Sequence, residues 1–300
     1  MAAPTWIART RTLVHERSAV YLELTKPRIT LMVMLTVALG FVLAPPVASA
    51  ATLVHVLIGT LLSCSGAGAL NQLLEQDRDA VMERTRFRPL PARKMSPQGA
   101  AVAGGLMAAG GVAYLLAKTN ALTAAIDVSI LVSYLCVYTP LKRRTTLATL
   151  IGAVPGALPP VMGWAAAAGR IDAPAAILFA IMFLWQIPHF LAIGRLFESD
   201  YRRAGFAMLS LVDGGGRIAE RQMVYYALAL IPVSMMMTLA GLTGPLYAFL
   251  ALAAGCGYLA AAVRAAWRPG RATARGLLLA SVLYLPAIVG AMLLDRLLVG

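Results

Sequence analysis

Long stretches without charge recur along the chain, and short segments rich in arginine and lysine separate them. About 20 consecutive apolar residues are needed for a helix to cross a bilayer, so each uncharged stretch of this length predicts one span. Residues 222–263 contain no charge. This stretch is too long for one span, and the sequence GLTGP at 241–245 divides it into two. The pattern therefore predicts nine membrane helices, at about residues 29–45, 51–76, 98–117, 120–140, 146–168, 173–195, 222–241, 245–264 and 275–296.

The composition agrees with this pattern. Hydrophobic residues make up 60% of the chain and charged residues 13%, and the mean hydropathy is +0.76, whereas soluble domains carry about 25% charged residues. We therefore expect an all-α polytopic membrane protein in contact with the lipid bilayer. Residues 1–28 are predicted to form a cytoplasmic N-terminal segment, and residues 29–300 a single transmembrane domain.

The cations predict the orientation of the chain in the membrane. Of the 26 lysine and arginine residues, 23 fall in segments that nine spans would place on one side, and the exceptions are Lys118, Arg170 and Arg296. Lysine and arginine concentrate on the cytoplasmic side of membrane proteins. The sequence thus predicts a bacterial inner-membrane protein with a cytoplasmic N-terminus and a periplasmic C-terminus. The net charge of +13 is explained by these loops, so we expect no nucleic-acid partner.

A stripe of oxygen-bearing side chains lies at the end of the second predicted span. Asn71, Glu75 and Asp79 are four residues apart, so on a helix they would share one face over ~12 Å, while Asp77 would point away. Like charges at this spacing destabilise a helix. Magnesium binds through one or two carboxylates and completes its shell with water and phosphate oxygens. The spacing is compatible with a metal and phosphate site, and a solvated helix end is the simpler alternative.

A second group of acids and cations follows the sixth predicted span. The segment WQIPHFLAIGRLFESDYRRAG at 185–205 includes Glu198, Asp200 and Tyr201. If it faced the first stripe across a cavity, the two groups could hold two metal ions and one diphosphate. His189 in the same segment lies within the membrane, where ionisable residues are functional by default. It predicts either a haem-pocket role or a hydrogen bond to a backbone group freed by Pro188.

The fifth predicted helix contains glycine and proline residues between positions 152 and 164. These residues are expected to interrupt the helix. Irregular backbone at membrane depth is tolerated around a cavity or within protein, so the segment favours a pocket for a flat ring. Close helix packing through small residues is the alternative.

Four segments together resemble one family of membrane enzymes. They are NQLLEQDRDAVMERTRFRPLP at 71–91, YTPLKRRT at 138–145, IGAVPGALPPVMGW at 151–164 and WQIPHFLAI at 185–193. On these segments the chain resembles the protoheme IX farnesyltransferases, a family within the intramembrane aromatic prenyltransferase superfamily. The resemblance extends from LTKPRITLM at 24–32 to the ninth helix, and it implies nine helices around a central cavity.

The resemblance also implies an activity and a set of site residues. The activity is a Mg²⁺-dependent transfer of a farnesyl group from farnesyl diphosphate to the vinyl group of haem B, giving haem O for haem–copper oxidases. Asn71, Glu75, Asp79 and Asp200 would be catalytic metal ligands. Substrate contacts are implied for Arg28, Arg84, Arg88, Tyr138, Lys142, Arg143, His189, Glu198 and Tyr201. Several of these cations also fit the positive-inside pattern alone.

The chain departs from the superfamily pattern at two points. Glu75 stands where the superfamily has aspartate, and Glu198 and Asp200 are two residues apart rather than four. Two other functions are compatible with parts of the sequence, namely a related prenyltransferase acting on a quinone precursor and a polytopic transporter. A structural assembly factor would leave the stripe unexplained. Haem A synthase or oxidase assembly proteins are expected as partners.

Overall fold

The computed structural model describes residues 19–45, 48–212 and 217–299, so most of the predicted segment 1–28 lies outside the described residues. The described chain is helical, with nine long helices, two short ones and a further helical stretch at residues 19–24. Eight of the long helices are long and apolar enough to span a membrane, and the ninth, α1, is a shorter apolar helix. The helices are α1 Pro27–Leu43, α2 Ala50–Val81, α3 Pro97–Lys118, α4 Ala121–Leu141, α5 Ala148–Ala168, α6 Ala173–Leu196, α7 Glu198–Arg203, α8 Leu209–Val212, α9 Arg217–Leu239, α10 Pro245–Trp267 and α11 Arg271–Val299.

These bounds confirm the predicted all-α fold and agree with the predicted spans to within a few residues. The largest differences are that α2 continues to Val81 and that α9 begins already at Arg217. Local sequence explains several helix starts. The side chains of Ser49, Ser96 and Asn120 accept hydrogen bonds from backbone N–H groups in the first turns of α2, α3 and α4. Such N-caps satisfy donors that the helix itself leaves free.

The prediction that α5 is interrupted is wrong. The helix runs from Ala148 to Ala168 with Pro155, Pro159 and Pro160 inside it. Prolines are tolerated in membrane helices when neighbouring helices enclose them. Here α1 packs closely along α5, and a Cβ atom added at Gly163 would collide with the backbone of Val37. The small residue Gly163 thus allows α1 and α5 to approach closely. Close packing of this kind drives helix association in a membrane, where the hydrophobic effect does not.

Two parts of the molecule differ in character. Helices α1, α2, α4 and α5 surround a cavity, whereas α6, α9, α10 and α11 pack against one another around an apolar core. Neutral hydrogen bonds cross this second part. The Tyr258 hydroxyl donates to the Trp185 carbonyl over 2.9 Å, and the hydroxyls of Ser234 and Tyr284 are 2.7 Å apart. Paired polar groups of this kind hold helices together at membrane depth.

Candidate active site

The cavity has a volume of about 370 Å³, within the range of about 300–1,000 Å³ typical of small-molecule sites. Its deeper wall is largely apolar, and its mouth carries the charged side chains. Besides the four helices, its walls include Arg84 and Arg88 from the segment after α2, Phe190 from α6, and Tyr201 and Phe206 from the segment after α6. The cavity therefore combines a polar mouth with a hydrocarbon-like interior.

The predicted stripe lines this mouth. Because α2 continues without a break to Val81, Asn71, Glu75 and Asp79 share one helix face. Their exposed fractions are 3%, 4% and 4%, and all three line the cavity. Asp77 is exposed on another face. The spacing of four residues thus brings the three side chains together, as the sequence predicts.

Each member of the stripe is paired with a cation from elsewhere in the chain. Lys26 Nζ donates to Asn71 Oδ1 over 2.7 Å, and Lys142 Nζ lies 3.1 Å from Glu75 Oε1. Arg88 Nη1 lies 2.7 Å from Asp79 Oδ2. Buried charges need such partners because an isolated charge away from water is very costly. The mouth is therefore an alternating set of anionic or amide oxygens and cationic nitrogens.

Lys26 is a functional candidate that the sequence reasoning counted only among the topological cations. It precedes Pro27 and adopts a left-handed conformation with φ 50° and ψ 58°, which is uncommon outside glycine. This turn carries the ammonium group to Asn71. Loss of surrounding water, and to a lesser extent the nearby charge of Arg88, lower the pKa of Lys26 to about 8, although Glu75 and Asp79 oppose the shift.

The Asn71 amide is oriented by a neighbouring threonine. Asn71 Nδ2 donates to Thr139 Oγ1 over 3.2 Å, and Thr139 Oγ1 donates to the Tyr134 carbonyl over 2.8 Å. These bonds leave Asn71 Oδ1 directed towards Lys26. Thr139 follows a π-helical segment of α4, Ser133–Tyr138, and both Tyr134 and Tyr138 line the cavity. Single π-helical turns occur frequently at functional sites.

Two aromatic side chains from the segment after α6 close the mouth on the other side. Arg84 Nη2 donates to the Tyr201 hydroxyl over 2.6 Å, and the Arg84 guanidinium lies 5.0 Å from the centre of the Tyr201 ring. Lys142 Nζ lies 4.6 Å from the centre of the Phe206 ring. These are cation–π distances. Of the predicted residues, Arg84, Arg88, Tyr138, Lys142 and Tyr201 thus line the cavity together with the stripe.

The acids after α6 are placed differently. Asp200 is buried, and its carboxylate accepts hydrogen bonds from the backbone N–H of Glu83 and from Arg203. Burial works against the charged form, but these bonds hold the pKa of Asp200 below its ordinary value. Glu198 is paired with Arg195 and Arg202. Within the described chain, neither Asp200 nor Glu198 is among the residues lining the cavity, so the two acid groups do not face each other across it.

Three further predicted residues also lie away from the cavity wall. Arg28 is exposed, and the exposed Arg143 donates to the Leu74 carbonyl over 2.7 Å. His189 Nδ1 lies 2.7 Å from Ser281 Oγ, and its ring stacks on Trp185 at a centroid distance of 5.2 Å. Its partner is therefore a side chain of α11 rather than a backbone group freed by Pro188. The next residue, Phe190, is the one that lines the cavity.

The stripe can coordinate a hard divalent cation only if a ligand supplies further oxygen atoms. No group of three or more His, Cys, Asp or Glu residues suited to a metal occurs among the described residues. The stripe offers two carboxylates and one amide oxygen, and magnesium uses one or two carboxylates with water and phosphate oxygens for the rest. The residues present therefore fit a magnesium ion that arrives with, or is completed by, a phosphate-bearing ligand.

Sequence comparison gives a consistent result. Residues 33–288 match the UbiA prenyltransferase family. A protoheme IX farnesyltransferase from Solibacter usitatus is 45% identical over 92% of this chain and 98% of its own length. Another from an Anaeromyxobacter species is 40% identical over 98% of this chain and 99% of its own length.

Structure comparison finds the same fold. A digeranylgeranylglyceryl phosphate synthase superposes with a TM-score of 0.79 at 15% identity, over 93% of this chain and 98% of that one. A UbiA homologue from Archaeoglobus fulgidus, described as bound to GPP and Mg²⁺, gives 0.68 at 16% identity, over 91% of this chain and 99% of that one. The chain therefore belongs to the UbiA prenyltransferase family, among whose members the protoheme IX farnesyltransferases resemble it over nearly their whole length.

Proposed function

We propose that this protein transfers a farnesyl group from farnesyl diphosphate to the vinyl group of haem B, giving haem O and diphosphate. The observation that carries the proposal is the mouth of the cavity, where Asn71, Glu75 and Asp79 meet three cations above an apolar interior. A diphosphate head suits the mouth and an isoprenoid tail suits the interior. The names of the full-length relatives support haem B as the acceptor.

The three cations are the groups that bind the diphosphate. Lys26, Lys142 and Arg88 neutralise the stripe in the absence of substrate, and phosphate oxygens offer them stronger partners. Glu75 and Asp79 are then free to act, together with the Asn71 oxygen, as ligands of Mg²⁺. A bound Mg²⁺ supplies positive charge that stabilises the departing diphosphate.

The reaction balances as follows. The bond between C1 of the farnesyl group and the diphosphate oxygen breaks, and diphosphate leaves with the electron pair. The vinyl group of haem B supplies two electrons for the new carbon–carbon bond to C1. Water adds to the resulting cation and loses one proton, so haem B, farnesyl diphosphate and water give haem O, diphosphate and a proton. Fixed cations at the mouth stabilise the charge of the leaving group as it forms.

The aromatic residues at the mouth have a complementary role. Tyr138 and Tyr201 line the cavity, with Lys142 and Arg84 over their rings, and a ring face stabilises a positive charge. We propose that they border the allylic carbon as it becomes cationic and exclude bulk water. The metal role predicted for Asp200 would require its carboxylate to exchange the Glu83 and Arg203 partners for the ion. The substrate contacts predicted for Arg28, Arg143, His189 and Glu198 likewise remain predictions.

The proposed location is the bacterial inner membrane, with the mouth on the cytoplasmic side. The segments around the mouth contain many of the 23 cations that the positive-inside pattern assigns to one face. The N-terminus is then cytoplasmic and the C-terminus periplasmic. Reporter fusions at the two ends test this orientation, and a signal from the same compartment at both ends contradicts it.

The deciding experiment uses purified protein in liposomes with haem B, farnesyl diphosphate and Mg²⁺, and identifies products by mass. We expect haem O, and we expect chelation by EDTA to abolish its formation and added Mg²⁺ to restore it. A parallel reaction replaces haem B with 4-hydroxybenzoate. Prenylated hydroxybenzoate without haem O would assign the protein to quinone biosynthesis. Co-purification with haem A synthase or an oxidase assembly protein would identify the expected partners.

A further inference from the structure

Asp127 is a buried carboxyl at the deep end of the cavity for which the proposed reaction has no use. It lies on α4, is 3% exposed, and lines the same cavity as the stripe. The Ser63 hydroxyl of α2 hydrogen bonds to it, but its Oδ2 atom has no hydrogen-bond partner among the described residues. A carboxyl at membrane depth is expensive and is functional by default, so this one calls for an explanation.

The distance from the mouth to Asp127 follows from α2. Ser63 precedes Asn71 by eight residues on the same unbroken helix, and at 1.5 Å per residue it lies ~12 Å deeper in the cavity. A fully extended polypeptide covers up to about 3.6 Å per residue, which is three backbone bonds, or ~1.2 Å per bond. An extended hydrocarbon chain has a similar length per bond. On that scale the eleven bonds along a farnesyl chain span ~13 Å and the fifteen of a geranylgeranyl chain ~18 Å. A farnesyl chain whose C1 lies level with Asn71 therefore ends about level with Ser63 and Asp127.

The cavity wall between these levels suits a hydrocarbon, and one turn beyond Ser63 the last α2 residue that lines the cavity is Thr60, whose hydroxyl donates to the Val56 carbonyl. Apolar side chains line the intermediate part: Ile29, Val33, Ala67, Ile130, Leu131 and Met162. Beyond Asp127, Ala124 and Ile126 of α4 pack in a buried apolar cluster with Val56 and Leu115. Gly59 lies directly against Leu115. The cavity thus has a polar floor beneath apolar walls.

We propose that Asp127 and Ser63 form a floor that sets the length of the prenyl donor at fifteen carbons. This inference rests on the proposed function and identifies which donor the site selects. A longer chain would have to press against the carboxyl and leave Oδ2 without water or a donor, which is unfavourable for a buried polar group. A shorter chain would leave the apolar walls above the floor unfilled and lose their contacts.

The test compares kcat/KM for geranyl, farnesyl and geranylgeranyl diphosphate with haem B as the acceptor. The wild-type protein is expected to prefer farnesyl over geranylgeranyl diphosphate by at least tenfold. Asp127→Ala removes the floor and is expected to shift that ratio at least tenfold towards the longer donor. Asp127→Leu raises the floor and is expected to shift preference at least tenfold towards geranyl diphosphate. Val128→Ala, at a 41% exposed position of the same helix, is the matched control and should leave the ratio within twofold.

Equal use of the three donors by the wild-type protein would overturn the proposal, and so would an Asp127→Ala ratio within twofold of wild type. Donor binding is measured separately, without haem, as competition between the three diphosphates in a thermal-shift assay. This measurement distinguishes selection of donor length by the floor from the transfer reaction with haem B. Chain-length selection in binding without haem O formation would leave the floor in place and reject the acceptor. Haem O formation with no selection among donors would reject the floor alone.

Discussion

The C-terminal end of α2 and the segment that follows α6 contain similar sets of acids and cations, but the structure uses them differently. At the end of α2, Glu75 and Asp79 line the cavity. After α6, Asp200 is held by the Glu83 backbone and Arg203, and Glu198 is paired with the partly buried Arg195 and the exposed Arg202. What this second segment contributes to the cavity is aromatic, through Tyr201 and Phe206.

The cause of the difference is helix continuity. Helix α2 runs unbroken past its last carboxylate, so residues four apart stay on one face. Helix α6 ends at Leu196, Phe197 leaves helical geometry with φ −113° and ψ 31°, and α7 begins anew at Glu198. Spacing along a continuous helix, rather than the number of acids in a segment, therefore builds the oxygen-lined face.

The largest effects are expected in the first segment. Glu75→Gln and Asp79→Asn each remove a carboxylate from the mouth, and each should lower kcat for haem O formation ~10²–10³-fold, the cost of losing one group that stabilises the transition state. The exposed Asp77→Asn on the same helix is the matched control and should stay near wild type. Retained activity in both variants, with normal membrane insertion, would remove the stripe from the site.

Lys142→Met should come next. It removes the cation that pairs with Glu75 and faces Phe206, so kcat/KM for farnesyl diphosphate is expected to fall ~10²-fold, the scale of one electrostatic contact to the leaving group. Arg144→Met, at an exposed position two residues later, is the control. Equal losses in the two variants would show that the effect comes from the net positive charge of the loop and not from a specific contact of Lys142.

Asp200→Asn tests directly whether the acids after α6 act as metal ligands, as those of α2 are proposed to do. The change weakens bonds that organise the loop, and hydrogen bonds to charged groups contribute about 1.5–3 kcal/mol. We expect a loss of activity of ~10-fold, the equivalent of about 1.4 kcal/mol, together with a lower thermal midpoint. The Mg²⁺ concentration for half-maximal activity should not change. If that concentration rises tenfold, Asp200 is a metal ligand and the two segments are functionally equivalent after all.

Glu198→Gln should have the smallest effect. Its side chain is 35% exposed, its closer partner Arg202 is 66% exposed, and the partly buried Arg195 lies 3.7 Å away. Exposed ion pairs contribute only about 0.2–1 kcal/mol. Activity should stay within about twofold of wild type, measured in the same haem O assay at several salt concentrations. A tenfold loss at any of them would place Glu198 in the site.

The helices and the stripe were predictable because each depends on local pattern. Uncharged length fixes the spans, and spacing of four residues fixes the shared face of Asn71, Glu75 and Asp79. Tyr134, missed by the sequence reasoning, had the same signal, since it lies four residues before Tyr138 and eight before Lys142. The continuity of α5 through three prolines was not predictable, because it depends on the helices that enclose it.

Residues brought by tertiary structure were harder to predict. Lys26 reaches Asn71 through a left-handed turn, and Phe206 reaches Lys142 only because the chain after α7 folds back over the mouth. Neither contact has a signature in sequence spacing. The placement of His189 against Ser281 likewise depends on the packing of α6 against α11, two elements far apart in the chain.

The π-helical segment Ser133–Tyr138 connects the two ends of the cavity, since Asp127 precedes it on α4 and Lys142 directly follows the end of the same helix. A π-turn contains more residues than an α-turn, and each residue of an α-helix corresponds to about 100° of rotation. Loss of one residue from this segment would therefore rotate Lys142 away from Glu75 by about that angle, together with the wall residues that follow the deletion, while the wall residues on α1, α2 and α5 would keep their places. The length of this one turn therefore sets the direction in which the cation at the mouth points.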